Sequence, residues 1–283
     1  MSGPLLALGA ASVWGISDFC GGLATRRASS ALIVMISHGL GLLVLTLFLW
    51  MLHPPAPSHG TIFYGFLAGI ACGSGLLLLY EGLSHGSMGL VAALSGVLTA
   101  MVPVLASFLT EGRPTGLQLA GFLAAMVAIW LIVYTPGSSV HLNGLLAGAA
   151  SGICFGFLLY FLHLAGKSDL LWAIAFSRLG SVSCAIVFGL FLVWRGTRPL
   201  LAPAIDWSAL LLLAAVAGLL DTAGNLLYTA SSLRGRLDVA AVLASLYPAG
   251  TILLAIFFLK ERATRNQTAG MVLALLAVVM ISA

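Results

Sequence analysis

The residues able to do chemistry stand out because the chain around them is apolar. Asp221 sits in the run AGLLDTAGNLLYTASS, with Asn225, Tyr228 and Ser232 following at helical spacing to make one polar stripe. A helix from about Ser208 to Ser231 puts Asp221 roughly 20 Å along its axis, close to mid-bilayer. A carboxylate there is costly to insert, so it points to function, as a site for a substrate amine or a proton. The bland alternative is a structural partner that fixes helix packing. Arg178, about 12 Å into another apolar run, could bind a carboxylate through its planar fork or pair with Asp221. His38 is either a packing residue or a proton relay. Asp18 lies one turn after Trp14, on the same face, and is a candidate coupling group beside Asp221; its alternative is a partner for Arg26 or Arg27.

Composition explains why these few groups matter. With 61% hydrophobic and 7% charged residues and a mean hydropathy of +1.13, the chain is an integral membrane protein rather than a soluble domain. The net charge of +4 comes from loop arginines and lysines, which orient a membrane protein and do not form a nucleic-acid footprint. Cys20, Cys72, Cys154 and Cys184 lack CxxC or Cys/His spacing, so neither a disulfide framework nor a metal site is indicated. They read as small buried hydrophobes.

Apolar runs separated by short Gly, Pro, Ser or charged turns predict ten transmembrane helices. They span about Pro4–Ala24, Ala31–Leu52, Gly60–Leu83, Gly89–Leu109, Gly116–Tyr134, Asn143–Leu164, Leu170–Trp194, Ser208–Ser231, Asp238–Leu259 and Gln267–Ala283. Alternating barrel segments are absent. The first span lacks a basic leader and contains Asp18, so it is expected to be retained.

The chain also repeats itself in order. Gly9-Ala10-Ala11-Ser12 recurs as Gly148-Ala149-Ala150-Ser151, Ser37-His38 as Ser177-Arg178, and Tyr80 with Val91-Ala92-Ala93 as Tyr228 with Val239-Ala240-Ala241. Phe108-Leu109-x-Glu111 recurs as Phe258-Leu259-x-Glu261, and Gln118-x-x-Gly121 as Gln267-x-x-Gly270. Two units follow, residues 1–136 and 137–283. Five spans in each make the halves cross the bilayer in opposite senses, as in many secondary transporters with midplane sites.

This layout resembles the drug/metabolite transporter superfamily, specifically its EamA branch. The carrying residues are Ala10-Ala11-Ser12-Val13-Trp14-Gly15, Tyr80 with Val91-Ala92-Ala93, and above all Leu246-Tyr247-Pro248 followed by Phe258-Leu259-Lys260-Glu261-Arg262. The resemblance implies an all-α, ten-helix 5+5 fold, a small-molecule substrate and transport without a cofactor. It also implies both termini in the cytoplasm. Loop charges oppose this: Arg113, Lys167, Arg234 and Arg236 on one side are outnumbered by Arg26, Arg27, Arg195, Arg198, Lys260, Arg262 and Arg265 on the other. Orientation stays open. The position matching Pro248 in the first half is Leu98, with Pro103 five residues on, so the fourth and ninth spans need not bend alike.

The expected function is secondary export of a small amino-acid-like or drug-like metabolite across the inner or plasma membrane, by alternating access at a site between the halves. Asp221, Arg178, Asn225, His38, Tyr80, Tyr228, Tyr247 and Trp14 are the candidate substrate contacts, with Phe155 in the same aromatic lining. Pro103 and Pro248 are candidate kinks or gates. Trp50, Trp130, Trp172, Trp194 and Trp207 belong to interfacial belts. Glu81 with His85, and Glu111 and Glu261, read as interfacial or loop structure. Faces such as Gly65, Gly69, Gly73 and Gly148, Gly152, Gly156 would let helices approach and rock as units. The alternatives are an uncoupled facilitator or channel and, with no HExxH, GxSxG or phosphate loop, less readily a membrane enzyme. A functional monomer is expected, with a dimer left open.

Overall fold

Apolar residues dictate helices here because lipid offers the backbone no hydrogen-bond partners. The computed structural model describes residues 2–25, 27–85, 88–110, 112–133, 142–196, 206–259 and 264–282. Glu111 and Glu261, read above as loop residues, lie outside these. The first half comprises α1 (Gly3–Thr25), α2 (Ser30–Leu52), α3 (His59–His85), α4 (Met88–Thr110) and α5 (Gly116–Val133). The second comprises α6 (Leu142–Gly166), α7 (Leu170–Arg195), α8 (Trp207–Ser232), α9 (Leu237–Ala244), α10 (Tyr247–Leu259) and α11 (Arg265–Ser282). Among the described residues, α1, α2, α3, α6, α7 and α8 are long and apolar enough to cross a membrane, and shorter apolar helices lie at Leu94–Thr110, Gly116–Ala128 and Leu237–Thr251.

One span differs from the pattern. The ninth is two helices, α9 and α10, separated by a tight turn at Ser245 and Leu246 just before Pro248. Pro248 has no N–H to give to the Ala244 carbonyl, so α9 stops at Ala244 and Pro248 falls in the first turn of α10. Pro103 instead sits inside an unbroken α4.

Side-chain contacts show that the halves run in opposite senses. Ser231 Oγ donates to the Gly3 carbonyl (2.7 Å) and Ser17 Oγ to the Ala217 carbonyl (2.8 Å), so α1 and α8 are antiparallel. Likewise Thr61 Oγ1, at the start of α3, donates to the Ala165 carbonyl at the end of α6 (3.2 Å). In contrast, α3 runs parallel to α7, where Gly65, Gly69 and Gly73 meet Ala173, Ser177 and Ser181 in register. Parallel α2 and α8 meet similarly, Gly218 at Ser37 and Thr222 at Gly41. The end of α2 and the start of α7 share one groove, so those two are antiparallel. It follows that α6 runs against α1. The protein is a 5+5 fold of two inverted five-helix repeats.

Packing follows membrane rules. Leu43, Leu47, Phe48, Val187, Leu190 and Phe257 face outward, whereas Ser17, Ser37, His38, Ser95, Ser151, Ser177 and Arg178 are buried. Without a hydrophobic drive between helices, close backbone contact through small residues and internal hydroxyl bonds holds the bundle. A Cβ at Gly73 would meet the Ser181 carbonyl and Cys184 at 3.0 Å, and one at Gly148 would meet the Val91 carbonyl at 2.9 Å.

Candidate functional site

Three elements bring the ionisable groups together. Asp221 and Asn225 are one turn apart on α8, and Asn225 Nδ2 donates to Asp221 Oδ2 (3.2 Å). Arg178 reaches the same oxygen from α7, with Nη1 at 2.5 Å, and His38 from α2, with Nε2 at 3.4 Å. His38 is fixed from behind by Ser181, whose Oγ lies 2.6 Å from its Nδ1. The stem of Arg178 passes Gly41, where a Cβ would stand 3.4 Å from its Cδ. Glycine at that position leaves room for the guanidinium.

Burial sorts these groups into two layers. Arg178 is wholly buried and His38 is 1% exposed, while the Asp221 side chain retains 13%. Arg178 contacts Asp221 as a charge, off the line of a good hydrogen bond, and its other guanidinium nitrogens find no protein partner. Asn225 Oδ1 and Ser177 Oγ are likewise unpartnered. A buried arginine costs several kcal/mol to desolvate, and its neighbouring carboxylate offsets this. Of the two readings open in the sequence, the geometry is that of Arg178 paired with Asp221.

In front of this layer lies a cavity of about 30 Å³, lined by Trp14, Asp18, Cys72, Leu76, Thr99, Phe155, Leu158, Leu159, Asp221 and Tyr247. It draws residues from both halves. Trp14 packs edge-on against Tyr247 (centroids 6.4 Å apart, planes at 83°) and, on its other side, near Tyr228 (5.9 Å). Asp18 faces this cavity and pairs with no cation among the described residues; Arg27, its alternative partner, is exposed, and Arg26 lies outside the described residues.

Several candidates stand elsewhere. His38 and Arg178 sit behind Asp221 and do not line the cavity. Tyr80 is wedged against Gly21 of α1, and Tyr228 donates from its hydroxyl to the Leu159 carbonyl of α6 (3.2 Å), so both tyrosines tie helices within their own halves. Pro248 packs on Gly96 of α4, and Pro103 is buried in α4 away from the lining.

Cys72, Leu76, Thr99, Leu158 and Leu159 complete the lining, and neither their residue type nor their spacing marks them in the sequence. Cys72, a small hydrophobe by its sequence setting, is more than that: its sulfur, a His38 nitrogen and an Asp221 oxygen lie within 4.8 Å of one another. Spacing gave no sign of this cluster, because its members come from three helices. Arg178 already occupies the carboxylate, which makes the trio a poor cation site.

Comparison with known proteins agrees with this architecture. No curated protein matches the sequence. One solved structure, described only as "Crystal structure of protein", is similar in fold over 99% of this chain and 98% of its own, with a TM-score of 0.79 and 13% identity. A family model for the EamA-like transporter family matches residues 1–134 and again 142–283. Two matched repeats cover nearly the whole sequence, and the chain belongs to the EamA-like transporter family.

Proposed function

We propose that this membrane transporter of small solutes exports a small organic metabolite carrying an amine, by alternating access at the cavity between the two inverted halves. The observation that carries the reading is Asp221: a carboxylate deep in the bundle, held by Arg178 and His38 on one side and open to the cavity on the other. An intramembrane carboxylate marks a substrate or ion path. Residues 1–136 and 137–283 act as the rocking units, with a site shared by both.

The cavity as described is small. A cavity of about 30 Å³ holds a water or two, whereas pockets for drug-sized ligands run to about 300–1,000 Å³. Binding therefore requires the halves to part, and the tight turn before Pro248, packed on Gly96 and beside Gly15, supplies a place to bend. Trp14 and Tyr247 contact the solute. Arg178, His38 and Asn225 act through Asp221 by holding its carboxylate, while Tyr80 and Tyr228 hold the helices that carry the lining. Asp18 and Asp221 are the candidate coupling groups. The protein works as a monomer in the inner or plasma membrane, since each half already supplies its inverted partner.

The test is counterflow of candidate metabolites in sealed vesicles. The parent is expected to show saturable flux, and Asp221→Asn and Arg178→Gln, at equal protein levels, should each lower it at least tenfold, about 1.4 kcal/mol. Unchanged flux in both variants would overturn the site assignment. Flux that never saturates would favour a channel.

A further inference from the structure

We infer that the solute is an organic cation that carries no carboxylate: an ammonium group on an aromatic or aliphatic body. The inference rests on the transport reading above and narrows its substrate. The charged residues lining the cavity are Asp18 and Asp221, both acidic. Arg178 compensates Asp221 from behind, and Asp18 has no cation among the described residues. Two carboxyl groups therefore face the cavity with Arg178 paired to only one of them, and an entering cation would supply the partner that Asp18 lacks. Arg178 cannot serve a second carboxylate, because it is wholly buried and outside the lining.

Hydrogen-bond donors tell the same story. The two hydroxyls of the lining already donate to one residue of α4: Thr99 Oγ1 to the Ser95 carbonyl (2.8 Å) and the Tyr247 hydroxyl to Ser95 Oγ (3.4 Å). The indole Nε1 edge of Trp14 lies against Gly224 of α8. A carboxylate brought here would meet two acidic side chains and no basic one. An ammonium group would meet two acceptors and the faces and edges of Trp14, Phe155 and Tyr247, aromatic walls suited to a cation. A cavity of this size takes only the charged head, and the body follows as the halves part.

Three probes with the same ring isolate the carboxylate: tyramine, tyrosine and tyrosine methyl ester. The last keeps tyrosine's bulk and, in buffer acidic enough to protonate its amine, carries a single positive charge. Binding to the full-length protein in detergent is read from thermal stabilisation, and flux from sealed vesicles. Tyramine and the ester are expected to bind at least tenfold more tightly than tyrosine, about 1.4 kcal/mol. Asp18→Asn should erase that preference while the unliganded melting temperature stays near the parent's. Phe155→Leu, which keeps the charge, should weaken both cations and leave their order over tyrosine intact. Equal or tighter binding of tyrosine, absence of binding by either cation, or a preference unmoved by Asp18→Asn would each overturn the inference. If the cations bind as expected but never cross the membrane saturably, the transport reading fails and the charge selection stands. If tyrosine is carried and tyramine is not, transport stands and the charge selection fails.

Discussion

The two halves share one packing plan and differ in where they put charge. On α3, Gly69 lies against the Ser177 carbonyl of α7; on α8, Gly218 lies against the Ser37 carbonyl of α2, and Ser37 and Ser177 correspond under the repeat. One turn on, Gly73 meets Ser181, whereas Thr222 meets Gly41, so the small residue and the hydroxyl have changed sides. Tyr80 reaches α1 and Tyr228 reaches α6 in the same way. Chemistry breaks this symmetry. Arg178 stands where the first half has His38, and Asp221 projects from the α8 turn that corresponds to the glycine turn of α3. Shared packing builds the scaffold, and the unshared charges make a site on it.

The largest effect should come from the unshared charges. Arg178→Ala leaves Asp221 without its main counterion and is expected to cost about 3–5 kcal/mol, the usual loss on breaking a buried pair. His38→Ala, at the equivalent position, removes a weaker partner and should cost about 1–3 kcal/mol. Thermal or denaturant melts in one detergent would measure both, and the reverse order would contradict the asymmetry.

The shared packing predicts matched losses. Gly69→Val and Gly218→Val each drive a side chain into a backbone carbonyl of the facing helix, at about 1–3 kcal/mol or more. Similar losses in the two variants would sharpen the comparison. A loss confined to one half would break it.

The ninth and fourth spans give a smaller contrast, in rate rather than stability. Pro248→Ala allows the turn between α9 and α10 to close into helix and should slow vesicle flux several-fold, while Pro103→Ala, inside a continuous helix, should leave it near the parent. Equal effects would remove the hinge from the account.

The smallest effect lies at the start of α8. Asp206 Oδ1 caps the helix by accepting from the Ser208 and Ala209 backbone N–H groups (3.1 and 3.2 Å), and Ser58 Oγ caps α3 by accepting from Thr61 N–H (3.1 Å). The Ser208 hydroxyl, and then the Ala209 N–H, hold the Asp206 carboxyl below its usual range. A depressed carboxyl stabilises above its unfolded value, near pH 4, and loses that contribution as pH falls through the lowered value. Melts of Asp206→Ala should therefore differ from the parent at neutral pH and converge with it in acid. Ser58→Ala should show a difference that does not depend on acid.

Much of this was legible because it is periodic. Apolar runs and ordered repeats marked the helices and their inversion, and helical spacing joined Asp221 to Asn225. The repeat also related His38 to Arg178, which now converge on one oxygen. What could not be read depends on which helices become neighbours. Asp18 could equally have met Arg26 or Arg27 by sequence distance; the packing of α1 on α8 and α10 turned it into the cavity. Tyr80 and Tyr228 share a spacing suited to a lining, yet each was spent on the neighbouring helix. Thr99 and Cys72 carry no sequence signal, since a lone hydroxyl or thiol in an apolar run reads as packing.

The central claim is that the cavity between the inverted halves opens to one side of the membrane at a time. Thr99→Cys, in a chain with Cys20, Cys72, Cys154 and Cys184 replaced, tests it directly with an impermeant thiol reagent applied to either face of oriented sealed vesicles. The account predicts modification from each face, with a bound solute shifting the balance between them. No modification from either face, or modification from one face alone under every condition, would contradict it.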